Sequence, residues 1–259
     1  MKNERLSHLV GSADTPLMRL TVGELLDQAT HQYPNNTAII SSHQNVRLTY
    51  AQFNQRVNIT ARNLLDMGLE SGDRIGIWSP NNVEWVTTLY AAAKAGLILV
   101  NINPAYRLSE LEYALKKVGC RALVLAKSFK SSNYTDMIAT LIPEIESCEL
   151  GKIKSKRVPT LSNLILISDE PESGYIRFSD LQKEGVGQSV DSAINVKELS
   201  PDSPVNIQFT SGTTGAPKGA TLTHSNIVNN AYFVGRGIGL TSTDKVCSPV
   251  PLYHCLGMV

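Results

Sequence analysis

Apolar residues recur at helical and then at strand spacing, in turn, through the first half of the chain. Thr21-x-x-Glu24 is a capping-box pair and predicts an amphipathic helix ending near Tyr33–Pro34. A second pair, Thr49-x-x-Gln52, predicts a longer helix with Phe53, Val57, Leu64 and Leu65 on its apolar face, stopped by Gly68. Arg74–Trp78 (RIGIW) reads as a buried strand, flanked by Ser-Gly-Asp and Ser-Pro-Asn-Asn. Val83–Ala95 is Ala-rich and helical with Gly96 as its cap, and Leu97–Ile102 is the next strand. Ser109-x-x-Glu112 predicts a further helix closed by Gly119, before a strand at Arg121–Leu125. Such alternation implies right-handed crossovers: an α/β fold, mainly a parallel sheet with helices on both faces.

Beyond Leu125 the pattern thins. Asn133–Ile142 reads as a helix before Pro143, and Leu164–Ile167 as a short strand. Polar residues, Gly and Pro dominate Gly151–Pro159 and Gly185–Pro204, and the second stretch is the better boundary. The expected division is an N-terminal extension over 1–20, a first α/β subdomain over 21–200, and the start of a second subdomain over 201–259. In that last part Val205–Phe209 is a strand, Thr223-His-Ser-Asn caps a helix to about Phe233, and Lys245–Ser248 is expected as a strand delivering Pro249–His254 to a ligand-facing end. There are no internal repeats and no low-complexity segment.

Between that strand and that helix lies TSGTTGAPK, residues 210–218. Glycines allow tight turns and close approach of backbone to ligand. Their N–H groups and the hydroxyls of Thr210, Ser211, Thr213 and Thr214 suit phosphate oxygens, and Lys218 adds a positive charge. The candidate phosphate-binding set is Thr210, Ser211, Gly212, Thr213, Thr214, Gly215, Ala216, Pro217 and Lys218. A Walker A loop needs Lys directly after its second Gly and a Ser or Thr next; here Ala216–Pro217 intervene and Gly219 follows. No G-x-G-x-x-G of the protein-kinase type is present.

TSGTTGAPKG resembles the phosphate-binding signature of the adenylate-forming enzymes: acyl-CoA synthetases, luciferases and peptide-synthetase adenylation domains. NPAY (103–106), ELEYALKKVGCRALV (110–124), NIQFTSGTTG, GATLTHSNIVNN and PLYHCLG are similar to mitochondrial medium-chain fatty-acid–CoA ligases of the acyl-CoA synthetase family. The likeness runs from about Thr21 onward. It implies the N-terminal part of the large domain of such an enzyme. It also implies a two-step reaction: a carboxylate attacks ATP to give acyl-AMP and pyrophosphate, then CoA thiol displaces AMP. ATP with Mg²⁺, CoA and a fatty acid are the implied small molecules, and the matrix is the implied location. On the same resemblance Tyr253 and His254 line the acyl pocket, with His254 the candidate catalytic residue. Without it, a His between Tyr and Cys reads as structural. Measured against the family, the chain ends before the adenine and ribose contacts, the hinge and the small C-terminal domain with its adenylation Lys. A truncated, non-catalytic binding protein is the alternative reading, and an aryl- or amino-acid-activating enzyme a third.

Composition sets outer limits. The 259 residues are 42% hydrophobic and 18% charged, with a net charge of +1, which offers no basic stripe for nucleic acid. No apolar run approaches the ~20 residues of a membrane span. Cys120, Cys148, Cys247 and Cys255 fit no metal-ligand spacing and read as reduced thiols, a Cys247–Cys255 disulfide being the alternative. The first twenty residues carry Lys2, Arg5 and Arg19 but also Glu4 and Asp14, a poor match to an acid-free transit peptide, which leaves a cytoplasmic location as the alternative. His224 reads as a capping or packing residue, Trp85 and Tyr106 as core, and Lys116–Lys117 as a solvated helix face.

Overall fold

A computed structural model describes residues 14–184, 199–210 and 216–258. The possible targeting segment therefore lies mostly outside the described residues, as does most of the expected boundary at 185–204.

Both capping boxes form. Thr21 Oγ1 accepts the Glu24 N–H while the Glu24 carboxylate accepts the Thr21 N–H, opening α1 (Val22–Gln32). Thr49 and Gln52 do the same for α2 (Tyr50–Asp66). Between them runs a hairpin that the sequence reading does not contain, β1 (Thr37–Ser41) and β2 (Val46–Thr49), turning at Asn45 with φ 52°. Then follow β3 (Arg74–Trp78), α3 (Val83–Lys94), β4 (Ile98–Asn101), α4 (Leu108–Val118) and β5 (Cys120–Ala126). A two-residue hairpin, β6 (Ser128–Phe129) and β7 (Ser132–Asn133), leads to α5 (Tyr134–Leu141). The remaining strands are β8 (Asn163–Ile167), β9 (Ile176–Arg177), β10 (Pro204–Thr210) and β11 (Lys218–Thr223), and α6 (His224–Gly237) and a short α7 (Cys255–Met258) complete the fold.

Seven strands form one sheet in the order β11-β10-β4-β3-β5-β8-β9, parallel except for β11. The two-residue period of a strand sorts its side chains between two cores. Ile75, Ile77, Leu99, Ala122, Val124 and Ile165 meet residues of α1, α2 and α3 on one face. Trp78, Val100, Leu123, Leu125, Leu164 and Leu166 meet Leu111, Leu115, Ile138 and Leu141 of α4 and α5 on the other. Helices thus cover both faces. Residues 204–210, assigned from sequence to the start of a second subdomain, pair with β4 inside this same sheet.

The helices on the first face are tied by one buried cation. The Lys94 ammonium, 7% exposed, meets Asp27 at 2.5 Å, Asn54 at 2.7 Å and Asn58 at 2.8 Å. Burial lowers its pKa and Asp27 opposes that shift.

Two sequence expectations are corrected. Ser109-x-x-Glu112 does not cap α4: the helix begins at Leu108, with the Glu110 carboxylate accepting the Arg107 N–H at 2.7 Å. The Glu112 carboxylate is engaged by Arg157 and Lys116 instead. Residues 245–248 form no strand; they are exposed, and Pro249 and Pro251 follow, each lacking the N–H a ladder needs.

Candidate active site

Ligands of open parallel sheets sit beyond the carboxyl ends of the strands, where strand order reverses. Here the chain passes from β3 to its neighbour β4, then returns across β3 to place β5 on the other side. At that edge a cavity of about 370 Å³ is lined by residues after β3 (Pro80, Asn81), after β4 (Asn103 to Ala105), after β5 (Phe129, Lys130), and by Pro249, Pro251 and Tyr253. Lys130 has φ 52° and its ammonium lies 5.4 Å from the Phe129 ring centre.

The wall at 103–105 is pinned from the core. Trp78 Nε1 donates to Asn103 O at 3.2 Å and the Tyr134 hydroxyl donates to Pro104 O at 2.5 Å. The two rings stack 3.5 Å apart. Tyr106, half-buried beside this wall, has its phenol pKa raised by burial and then by Glu110, Tyr253 and Tyr113, so it stays protonated at neutral pH.

The opposite wall, 249–253, rests on carboxamides. Asn81 Nδ2 donates to Val250 O and Asn81 Oδ1 accepts the Leu252 N–H, both at 2.8 Å. Asn101 Nδ2, at the end of β4, lies 3.3 Å from Tyr253 O and 3.4 Å from Met258 Sδ. Asn206 of β10, fully buried, donates to Leu99 O and Asn101 Oδ1 at 3.0 Å. These amides carry no net charge, so burying them needs hydrogen bonds but no counter-ion.

The glycine-rich loop leaves the same edge. Thr210 and Lys218 are cross-strand partners, so residues 211–217 join two antiparallel strands. Thr210, Ala216 and Lys218 are exposed. Pro217 is half-buried, and its carbonyl accepts the Tyr113 hydroxyl of α4 at 3.0 Å. Ser211, Gly212, Thr213, Thr214 and Gly215 lie outside the described residues.

Of the two residues assigned to the acyl pocket, Tyr253 lines the cavity. His254 is exposed and is not among the cavity's lining residues. Its Nδ1 accepts the Leu256 N–H at 3.4 Å and lies 3.7 Å from Cys255 Sγ. His224 is 1% exposed, and its Nδ1 accepts the Val22 N–H at 3.1 Å. Burial lowers its pKa to about 4. Trp85 is buried in the first core, while Lys116 and Lys117 are exposed. All four cysteines are free. Among the described residues no three His, Cys, Asp or Glu side chains gather as a metal site, and no helix is long and apolar enough to cross a membrane.

Residues 26–259 match the model of the AMP-binding enzyme family. The chain belongs to that family. It is 46% identical over 256 residues to the medium-chain acyl-CoA ligase ACSF2, mitochondrial, of Danio rerio, and 44% identical over 260 residues to its Homo sapiens counterpart. Each comparison covers 98% of this chain and 42% of the relative, so the chain spans less than half the length of these proteins. A crystal structure of a long-chain-fatty-acid–CoA ligase from Archaeoglobus fulgidus superposes with a TM-score of 0.76 at 23% identity, over 97% of this chain and 47% of that one. At that identity the match speaks to fold.

Sequence reasoning named Tyr253, which lines the cavity, but not Asn81, Asn101, Phe129 or Lys130. The SPNN (79–82) and NINP (101–104) patterns at strand ends were the available signal: polar residues directly after buried strands of a parallel sheet lie at its carboxyl edge.

Proposed function

We propose that this chain is the ATP-handling and acyl-pocket portion of a fatty-acid–CoA ligase acting on medium-chain acids in the mitochondrial matrix. The observation that carries the reading is the shared edge: a Gly/Thr/Ser-rich loop bracketed by Thr210 and Lys218 leaves the same end of the sheet as a cavity walled by Tyr253, Phe129 and prolines. One part suits polyphosphate and the other suits an apolar chain, which is the pairing that carboxylate adenylation requires. The names of the relatives support the same acid class and compartment.

In the first step pyrophosphate leaves and charge grows on its oxygens. Loop N–H groups, the hydroxyls of Thr210, Ser211, Thr213 and Thr214, and the Lys218 ammonium are the groups that would stabilise that charge as it develops. Ala216 and Pro217 carry the chain back into β11, and the Tyr113 hydroxyl holds that return. Tyr253 packs against the acyl chain, and His254, on the next residue, is the proposed group near the adenylate carbonyl once the acid is bound. Mg²⁺ enters with ATP as its complex.

The test is the full-length protein carrying this chain, assayed for AMP and acyl-CoA release with octanoic and hexadecanoic acids. ATP- and CoA-dependent octanoyl-CoA formation supports the reading. Absence of AMP release with any fatty acid refutes it and leaves a non-catalytic binding protein.

A further inference from the structure

The two walls of the cavity are held by different means. The 103–105 wall is locked by Trp78 and Tyr134, both fully buried. The 249–253 wall is a surface segment outside the sheet, in which Pro249 and Pro251 lack N–H groups. The Asn81 carboxamide donates to Val250 O and accepts from Leu252 N–H, both at 2.8 Å. It takes the two backbone groups that a neighbouring strand would otherwise take. The mount beneath it is stiff. Asn81 follows the buried end of β3, and the next residue caps α3: Asn82 Oδ1 accepts the Trp85 N–H at 2.7 Å, and Asn82 Nδ2 donates to Ser79 Oγ at 2.8 Å.

We infer that Asn81 is a positioning residue whose two-point hold on the Val250–Leu252 backbone fixes Tyr253, and with it the width of the cavity and the acyl chain length it accepts. This inference rests on the ligase reading above. Both polar functions of the Asn81 side chain are spent on the segment, so its effect on substrate passes through the wall it holds. The contact of Asn101 with Tyr253 O, at 3.3 Å, is longer and supports the same wall from β4.

The experiment uses the full-length protein, with Asn81→Ala, which removes both bonds, and Asn81→Asp, which keeps the acceptor for Leu252 N–H and loses the donor to Val250 O. Rates are measured across a series of straight-chain acids, beside amide exchange at Leu252. Asn81→Ala is expected to speed exchange at Leu252 and to lower kcat/KM for the best acid about tenfold, as the loss of two neutral hydrogen bonds allows. The chain-length profile should broaden, while KM for ATP stays within about twofold, since loss of these bonds leaves the loop's own contacts in place. Asn81→Asp, which sets a carboxylate oxygen against Val250 O, should disturb the wall at least as much, and it carries the comparison if Asn81→Ala does not fold. Faster exchange with an unchanged chain-length profile overturns the inference, as does unchanged exchange. An unmodified protein that makes no acyl-CoA overturns the ligase reading itself, an outcome separate from any difference between variants.

Discussion

His224 is a pH-sensitive joint between the first and last long helices, and its contribution can be worked out. It is the first residue of α6, 1% exposed, and its Nδ1 accepts the Val22 N–H, one of the orphan donors at the start of α1. Protonation would put a hydrogen on Nδ1, set donor against donor, and bury a cation. Hence the folded pKa falls from 6.5 to about 4, with burial the main cause and Glu24 opposing it. Between those values the unfolded chain binds the proton and the folded chain does not. The stabilisation is therefore complete above pH 6.5 and is lost as pH falls towards 4. At about 1.4 kcal/mol per unit, the loss amounts to roughly 3 kcal/mol. For a domain of this size that corresponds to roughly 6–12 °C in Tm. The assay is thermal melting at closely spaced pH values, comparing the unmodified protein with His224→Asn, whose Oδ1 can accept the same N–H without titrating. Other histidines and the carboxylates titrate in both proteins, so the difference between the two curves isolates His224. That difference should narrow steadily from neutral pH to about pH 4, as the unmodified protein loses its advantage. Parallel curves would refute the reasoning.

Three further outcomes are expected. Lys218→Ala should cut kcat/KM for adenylation by about a hundredfold, as removal of a transition-state charge partner does, with little change in Tm because Lys218 is exposed; equal losses of Tm and activity would sink the assignment. Tyr113→Phe removes the hydroxyl bound to Pro217 O, a bond worth about 1 kcal/mol, and should raise KM for ATP several-fold while leaving KM for the acid alone, as steady-state kinetics would show. Cys120 is fully buried with its thiol pushed up to about 12, so mass spectrometry after alkylation of the folded protein near neutral pH should find Cys120 unlabelled, and labelled only on unfolding.

What the chain's pattern revealed, and what it concealed, follows from burial. Arg74–Trp78 is read from sequence with its observed bounds, because a strand covered on both faces is a continuous apolar run between turn residues. The hairpin at β1–β2 and the edge strand β11 went unread for the opposite reason. KGATLT carries four exposed residues in six and presents no apolar alternation; it is a strand because β10 offers it an edge. Phe233 and Val234 look like the natural end of an apolar helix face, yet α6 continues to Gly237 with both exposed. In the candidate site, the loop stood out in the sequence because Gly, Thr, Ser and a Lys are concentrated in TSGTTGAPK. Asn81 and Asn101 did not, because their role depends on strand ends brought beside residues about 150 to 170 positions later.

Long-range contacts also fix both ends of the glycine-rich loop. Downstream of the glycine-rich loop, β11 runs directly into α6. That junction is held by His224 N–H to Ser203 O at 3.2 Å, Ser225 N–H to Pro201 O at 2.7 Å, and the His224–Val22 bond. Upstream, β10 is hydrogen-bonded on both sides, by β4 and β11. Asn229 of α6 adds a two-point hold on Met18, its Oδ1 accepting the Met18 N–H at 2.8 Å and its Nδ2 donating to Met18 O at 3.1 Å. The anchors therefore draw stability from α1, α6 and the sheet, and the return into β11 is held by the Tyr113 hydroxyl on Pro217 O. Even Gly219, just past the loop, belongs to the scaffold, where a Cβ would come within 3.1 Å of Ile207 Cγ2. A loop mounted in this way can exchange ligand without loosening the fold, and substitutions inside it should read out in nucleotide kinetics. Substitutions at its anchors should read out first in stability, and only through that in rate.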